Sequence, residues 1–215
     1  MTRRDLVLQS LINAPLALMF LSCARPTANA LRPLLNSERI ELIFGNYGID
    51  LLELNDRVRV SSLYSLDGGR KICRTFALVF FPPEVDPRIA AEQRAILSGG
   101  SIGAVFKEAG FTIEKENSYF GELPADPHRE RLRKLMGEVG AGKLALHVYS
   151  MVLHRGGDSL AYATIAEVHH PAFLDREDLE AIYGVEVAKH RRPEPGLDAV
   201  LAKVAAELKE APGSR

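Results

Sequence analysis

The sequence predicts an α+β protein, an antiparallel sheet of about six strands with helices inserted between its hairpins. Three observations predict it. Gly68-Gly69 and Gly156-Gly157 each separate two runs rich in Val, Ile, Leu, Tyr and Phe, and so read as tight hairpin turns. Helical periodicities fall in blocks between the hairpins instead of alternating with strands, which argues against a βαβ arrangement. The hairpins also resemble each other. Leu63 through Gly68-Gly69 to Phe81-Pro82 parallels Met151 through Gly156-Gly157 to His170-Pro171, a weak internal repeat that suggests a pseudo-symmetric sheet.

The first thirty residues read as an export signal. Thr2-Arg3-Arg4-Asp5-Leu6 resembles a twin-arginine signal, and an apolar stretch from Leu6 to Leu21 follows it, broken by Gln9, Ser10 and Asn13. That stretch is short and polar for a membrane span, which needs roughly 20 apolar residues. Two endings compete. Cleavage after Ala28-Asn29-Ala30 would release a soluble protein with Cys73 as its thiol. Phe20-Leu21-Ser22-Cys23 also resembles a degenerate lipobox, and only lipidation at Cys23 would bring in a membrane. Phe where Leu is usual favours the soluble, exported form. Residues 31–210 then form one domain and 211–215 a frayed tail.

Composition fits one domain. The 215 residues are 47% hydrophobic and 26% charged, enough to bury a core. A formal net charge of −1 gives no basic excess for nucleic acid or an anionic membrane. Two cysteines without a CxxC exclude a disulfide framework and a structural zinc knuckle.

Within the domain, Ser37 precedes Ile40, Leu42, Ile43 and Phe44 and reads as the N-cap of a short helix stopped by Gly45. Ile49–Leu54, Val58–Ser65 and Lys71–Phe81 read as strands, and Pro82-Pro83 ends the third. Asp86–Leu97 and Ser101–Ala109 read as helices, Phe111–Gly121 as a strand and Pro127–Glu138 as a charged helix. Leu144–His154 and Leu160–His170 make the second hairpin. Asp175–Tyr183 and Leu197–Leu208 close the chain as helices, the last with Leu197, Val200, Leu201, Val204 and Leu208 on one face.

Four stretches, taken in order, resemble the chorismate lyases and the ligand-binding domains of a group of bacterial transcription regulators that share their fold. They are Asn36-Ser37 with Tyr47-Gly48; Asp67-Gly68 followed by Cys73-Arg74-Thr75; Ser101-Ile102-Gly103-Ala104-Val105-Phe106; and Ala166-Glu167-Val168-His169-His170-Pro171-Ala172. The resemblance implies a six-stranded antiparallel sheet with helical flaps over an enclosed aromatic carboxylate. It also implies elimination of pyruvate from chorismate to leave 4-hydroxybenzoate, without metal or organic cofactor. A regulator is disfavoured, because a signal and not a helix-turn-helix precedes the domain.

The expected ligand is therefore a small aromatic or other carboxylate. Arg74 alternates with Ile72, Phe76, Leu78 and Phe80, and a buried guanidinium among them requires an anion. By resemblance it is the clamp for a substrate carboxylate, and Glu167 is the acid that protonates the leaving enolpyruvyl oxygen. The family's second arginine maps onto Val60, while Arg59 beside it points to the other face unless a bulge or register slip intervenes. Ile102 and Gly103, at a helix start, are expected to line the site, Ile102 through its backbone N–H. His147 falls near Glu167 and diagonal to His169 if Gly156-Gly157 centre the turn. Such a set can bind a metal, but hydrogen-bonded strand histidines are commoner, and no metal is expected. The run Arg129, Arg131, Arg133 and Lys134, interleaved with Glu130, reads as a solvated helix face, and Cys73 as a buried inert thiol. Two functions remain open: a lyase, or a binding module that keeps the pocket without the chemistry.

Overall fold

The computed structural model describes residues 25–125, 129–137, 139, 142–184 and 196–209. The twin-arginine stretch, Cys23 and the tail lie outside the described residues.

Six strands form one open antiparallel sheet: β1 (Gly48–Leu54), β2 (Val58–Asp67), β3 (Arg70–Phe80), β4 (Thr112–Pro124), β5 (Lys143–Arg155) and β6 (Asp158–His169). Their order is β1-β2-β3-β6-β5-β4. Two three-stranded meanders thus meet through their last strands, where Ala77 pairs with Glu167 and Val79 with Ile165. The glycine pairs explain the tight turns. Gly68 and Gly69 have φ of 56° and 81°, Gly156 and Gly157 of 62° and 91°, a left-handed conformation that other residues adopt only at a cost.

Strand alternation gives the sheet two buried faces. On one, Val60, Phe76, Leu78, Leu146, Val148, Ala166 and Val168 pack against helices α5 (Arg129–Met136) and α7 (Leu197–Lys209) through Leu132, Met136, Val204 and Leu208. Arg131 of the supposedly solvated α5 face is in fact buried, and its Nη1 lies 3.6 Å from Glu207 Oε2. The other face carries two apolar clusters. Val79, Met151 and Ile165 meet α3 (Ala90–Leu97) and α4 (Ile102–Glu108) through Ile96 and Phe106. Ala145 and Phe120 meet α1 (Ala28–Leu31), α2 (Asn36–Phe44) and α6 (Arg176–Tyr183) through Leu31, Ile40 and Leu179. A cavity lies on this second face.

Several boundaries differ from expectation for local reasons. Ser37 is not the N-cap of α2. The helix begins at Asn36, and Glu38 Oε2 accepts the Leu35 N–H at 2.7 Å, satisfying that donor from within the first turn. Asp86 caps a 3₁₀ turn, Pro87–Ile89, before α3 begins. The strands run slightly longer than their apolar cores, because the ladder extends through polar ends such as Asp67, paired with Arg70.

The segment from Arg25 to Arg32 packs on the domain. Leu31 is buried, Arg32 Nε donates to the Ile182 carbonyl at 2.8 Å, and Arg25 pairs with Asp178 at 2.8 Å. The expected cleavage point after Ala30 therefore falls inside α1. Among the described residues, no helix is long and apolar enough to cross a membrane.

Candidate functional site

A cavity of about 560 Å³, its mouth included, opens on the second sheet face between the two clusters. Its walls are Ile49, Leu63, Ala77, Val79, Met151 and Ile165 from the sheet. Leu35, Asn36 and Ser37 come from the start of α2, and Ser101, Ile102 and Gly103 from the start of α4. Beyond Asn36, Ser37 and Ser101, the polar residues that line it are Tyr47, Arg59, Ser61, Lys115, Tyr149 and Glu167. An apolar cleft with a few placed polar groups is the usual form of a small-molecule site.

Four of the five residues expected at the site, Arg59, Ile102, Gly103 and Glu167, line this cavity; Arg74 does not. Alternation along β3 had placed Arg74 with Phe76 and Leu78, but the ladder is irregular there. Leu63 pairs with Thr75 and Tyr64 with Cys73, so Arg74 is the unpaired residue of a bulge. Its Nε donates to Ser65 Oγ at 2.8 Å and its guanidinium lies 3.9 Å from the Phe44 ring centroid. A hydroxyl and an aromatic face therefore hold the charge that the sequence reading gave to a ligand.

Arg59 is the guanidinium that faces the cavity. Pairing is regular from Val58 to Leu63, so Arg59, opposite Val79, and Ser61, opposite Ala77, share the face of Ile165 and Glu167. Val60, to which the family position had mapped, lies in the core of the opposite face. Arg59 is 1% exposed. Its Nη1 donates to the Gly100 carbonyl at 2.7 Å, while Nη2 has no hydrogen-bond partner among the described residues. Burial pulls its pKa below the usual guanidinium value, with Tyr47 and Tyr162 nearby in partial compensation.

Glu167 is held from two sides. Tyr149 donates its hydroxyl to Oε1 at 3.1 Å, and Lys115 Nζ stands 3.7 Å from Oε2 and 4.4 Å from the Tyr149 ring centroid. Burial, reinforced by the Glu167 carboxylate, raises the Tyr149 pKa well above its ordinary value, so the phenol stays a donor. Sequence reasoning missed Lys115 and Tyr149. Both were findable by period two: Lys115 is two positions from Ile113 and opposite Met151, and Tyr149 two from Met151. The charged run Glu114-Lys115-Glu116 hid the pattern.

The start of α4 is packed tightly against α2. A Cβ added at Gly103 would lie 2.3 Å from Leu35 Cδ1, and Lys107 pairs with Glu38 across the same seam. Gly103 thus lets the two helix starts close together over the cavity, where a side chain would push the Leu35 methyl aside.

The histidine geometry of the second hairpin is as its turn implied. His147 pairs with Glu167, and His169 lies two residues on along β6. One ligand atom each from His147, Glu167 and His169 lies within 4.8 Å of the others, and all three residues are buried. Burial lowers the His169 pKa to about 4, leaving a neutral imidazole. His170, beside it, is also lowered to about 4 by burial and by Arg74. Cys73 is buried with its thiol pushed up to about 12 by burial, as an inert thiol should be.

Fold and site together define an α+β protein with an open six-stranded antiparallel sheet and a mainly apolar, cation-lined cavity on one face. No family model matches the chain, and no curated protein matches it.

Proposed function

We propose that the cavity takes a small aromatic carboxylate, in the manner of the chorismate lyases that the sequence resembles. Arg59 carries the reading. It is a buried guanidinium with no carboxylate paired to it among the described residues and an unused N–H inside the fold. Burying an uncompensated charge costs several kcal/mol, and a ligand carboxylate would offset that cost through charge-assisted hydrogen bonds. The clamp assigned by resemblance to Arg74 moves to Arg59.

The spacing suits a ring. Arg59 on β2 and Glu167 on β6 are two strand spacings apart and offset by one same-face step, roughly 12 Å between Cα atoms by sheet geometry. A six-membered ring can lie between them on Ala77, Val79 and Ile165, with its carboxylate on Arg59 and an oxygen substituent toward Glu167 and Tyr149. In a lyase reaction the ring–oxygen bond to the enolpyruvyl group breaks and the ring loses a proton to become aromatic. Glu167 protonates the departing oxygen, and the enol becomes pyruvate.

The second reading, an exported binding module without catalysis, rests on Glu167 itself. Tyr149 and Lys115 already engage both its oxygens, so Lys115 must move before Glu167 can serve as an acid. Export belongs to this proposal through the twin-arginine resemblance. Incubation with chorismate separates the two. Appearance of 4-hydroxybenzoate and pyruvate, lost in Arg59→Gln and Glu167→Gln, supports the lyase. Thermal stabilisation by 4-hydroxybenzoate without turnover supports the module. Neither result means that the cavity serves another ligand.

A further inference from the structure

Three buried side chains, Glu167 of the cavity wall with His147 and His169 beside it, share a feature that carboxylate binding does not use. Each makes a hydrogen bond through one polar atom, and one ligand atom of each lies within 4.8 Å of the others. His147 Nε2 is 2.9 Å from Asn117 Oδ1, which fixes that nitrogen as the N–H and leaves Nδ1 facing Glu167, 3.9 Å from Oε2. His169 Nδ1 is 3.1 Å from Thr75 Oγ1, and its buried Nε2 has no hydrogen-bond partner among the described residues. Glu167 Oε1 takes the Tyr149 hydroxyl, and its buried Oε2 likewise has no hydrogen-bond partner there. The His147 ring is stacked on Phe120 at 4.4 Å and 7°, so its direction is set by packing.

We propose that His147, Glu167 and His169 form a binding site for one divalent first-row transition ion of the zinc class, joined to the cavity through Glu167. Two imidazoles and one carboxylate are a donor set that such ions prefer. Outer partners of the Asn117 and Thr75 kind are what orient ligating histidines and fix their tautomers. A hydrogen-bonded structural cluster would instead have closed on itself, whereas here the buried His169 Nε2 and Glu167 Oε2 have no hydrogen-bond partner among the described residues, the latter meeting only the Lys115 ammonium at 3.7 Å. Because Glu167 also lines the cavity, the remaining coordination positions would open toward it.

Lys115 opposes the ion. Its ammonium stands 3.7 Å from Glu167 Oε2 and supplies the positive charge in the metal-free protein. An ion must displace it toward the cavity, which Lys115 also lines. This competition gives the inference a sign that a merely structural cluster lacks: removing the lysine should tighten metal binding.

The inference goes beyond the carboxylate reading and shares only Glu167 with it. The test titrates the full chain, stripped with chelator, with Zn²⁺ in a calorimeter and with Co²⁺ in a spectrophotometer. The expected result is one ion per chain and visible Co²⁺ absorption of four- or five-coordinate type. Asn117→Ala should weaken affinity about 10–100-fold, and His169→Ala should abolish stoichiometric binding. Lys115→Met, which removes a charge and no ligand, should tighten it about tenfold. Absence of stoichiometric binding to the wild-type chain overturns the inference, and so does binding unchanged in His169→Ala, or Lys115→Met binding no better than wild type. Thermal shift with 4-hydroxybenzoate on the metal-free sample is read separately. Metal binding without that shift would retire the carboxylate reading and leave this one standing.

Discussion

Arg59 and Glu167 face one cavity from strands β2 and β6, with β3 between them as the apolar floor. Regular pairing on β2–β3 and β3–β6 puts Arg59, Val79 and Ile165 in one row, and Ser61, Ala77 and Glu167 in the next. Cation and carboxylate are thereby kept apart, and Glu167 meets the Lys115 ammonium at 3.7 Å instead.

We predict that Arg59 and Arg74 separate binding from stability. Arg59→Met should abolish stabilisation by 4-hydroxybenzoate while leaving the unliganded protein as stable or more so, because it replaces an uncompensated buried charge by apolar volume. Arg74→Met should cost about 1–3 kcal/mol, through loss of the Ser65 hydrogen bond and the Phe44 contact, and leave the ligand shift intact. Urea unfolding with and without ligand reads both. An Arg74 variant that loses the ligand shift at unchanged stability would restore Arg74 to the site.

Gly103→Ala should impair binding more than folding. The new methyl meets Leu35 Cδ1, the end of a flexible side chain, so Leu35 can move, but it moves as part of the cavity wall. A weakening of ligand affinity by about threefold to thirtyfold is expected, with less than about 1.5 kcal/mol lost in stability. Leu35→Ala in the same chain should recover part of the affinity; equal binding by Gly103→Ala and wild type refutes the close approach.

A chain beginning at residue 31 should be less stable than one beginning at residue 25. It lacks the Arg25 contacts with Phe173 and Asp178, the Thr27 cap and the Ala28 contact with the core. The ion pair is partly exposed and contributes little, so a total of about 1–2 kcal/mol is expected. Coincident unfolding curves for the two chains would show that these residues add nothing.

Cys73 should resist thiol reagents in the folded protein. Burial excludes the reagent, and a pKa near 12 keeps the thiolate scarce at neutral pH. In a Cys23→Ser chain, labelling by an aromatic disulfide reagent should be negligible in buffer and reach one thiol in guanidinium. Rapid labelling under native conditions would contradict the buried placement.

Much of the fold was legible because it is written locally. The double glycines require left-handed backbone, which sets two hairpin turns and, with them, the register that brings His147 opposite Glu167. Apolar alternation set the strands, and the periodicity of Leu197, Val204 and Leu208 set α7. The failures came where one residue changes the phase. At the Arg74 bulge, period-two counting assigned the guanidinium to the wrong surroundings. At Ser37, a good capping residue lost to Glu38, which reaches back to Leu35.

The sequence by itself determined an α+β chain, its six strands, and a short roster of charged strand residues, since periodicity and turn chemistry are local properties. Only the tertiary structure decided which of those charges share a cavity. That choice depends on how β3 meets β6 and where a ladder slips, and both follow from long-range packing. It exchanged Arg74 for Arg59 and added Lys115.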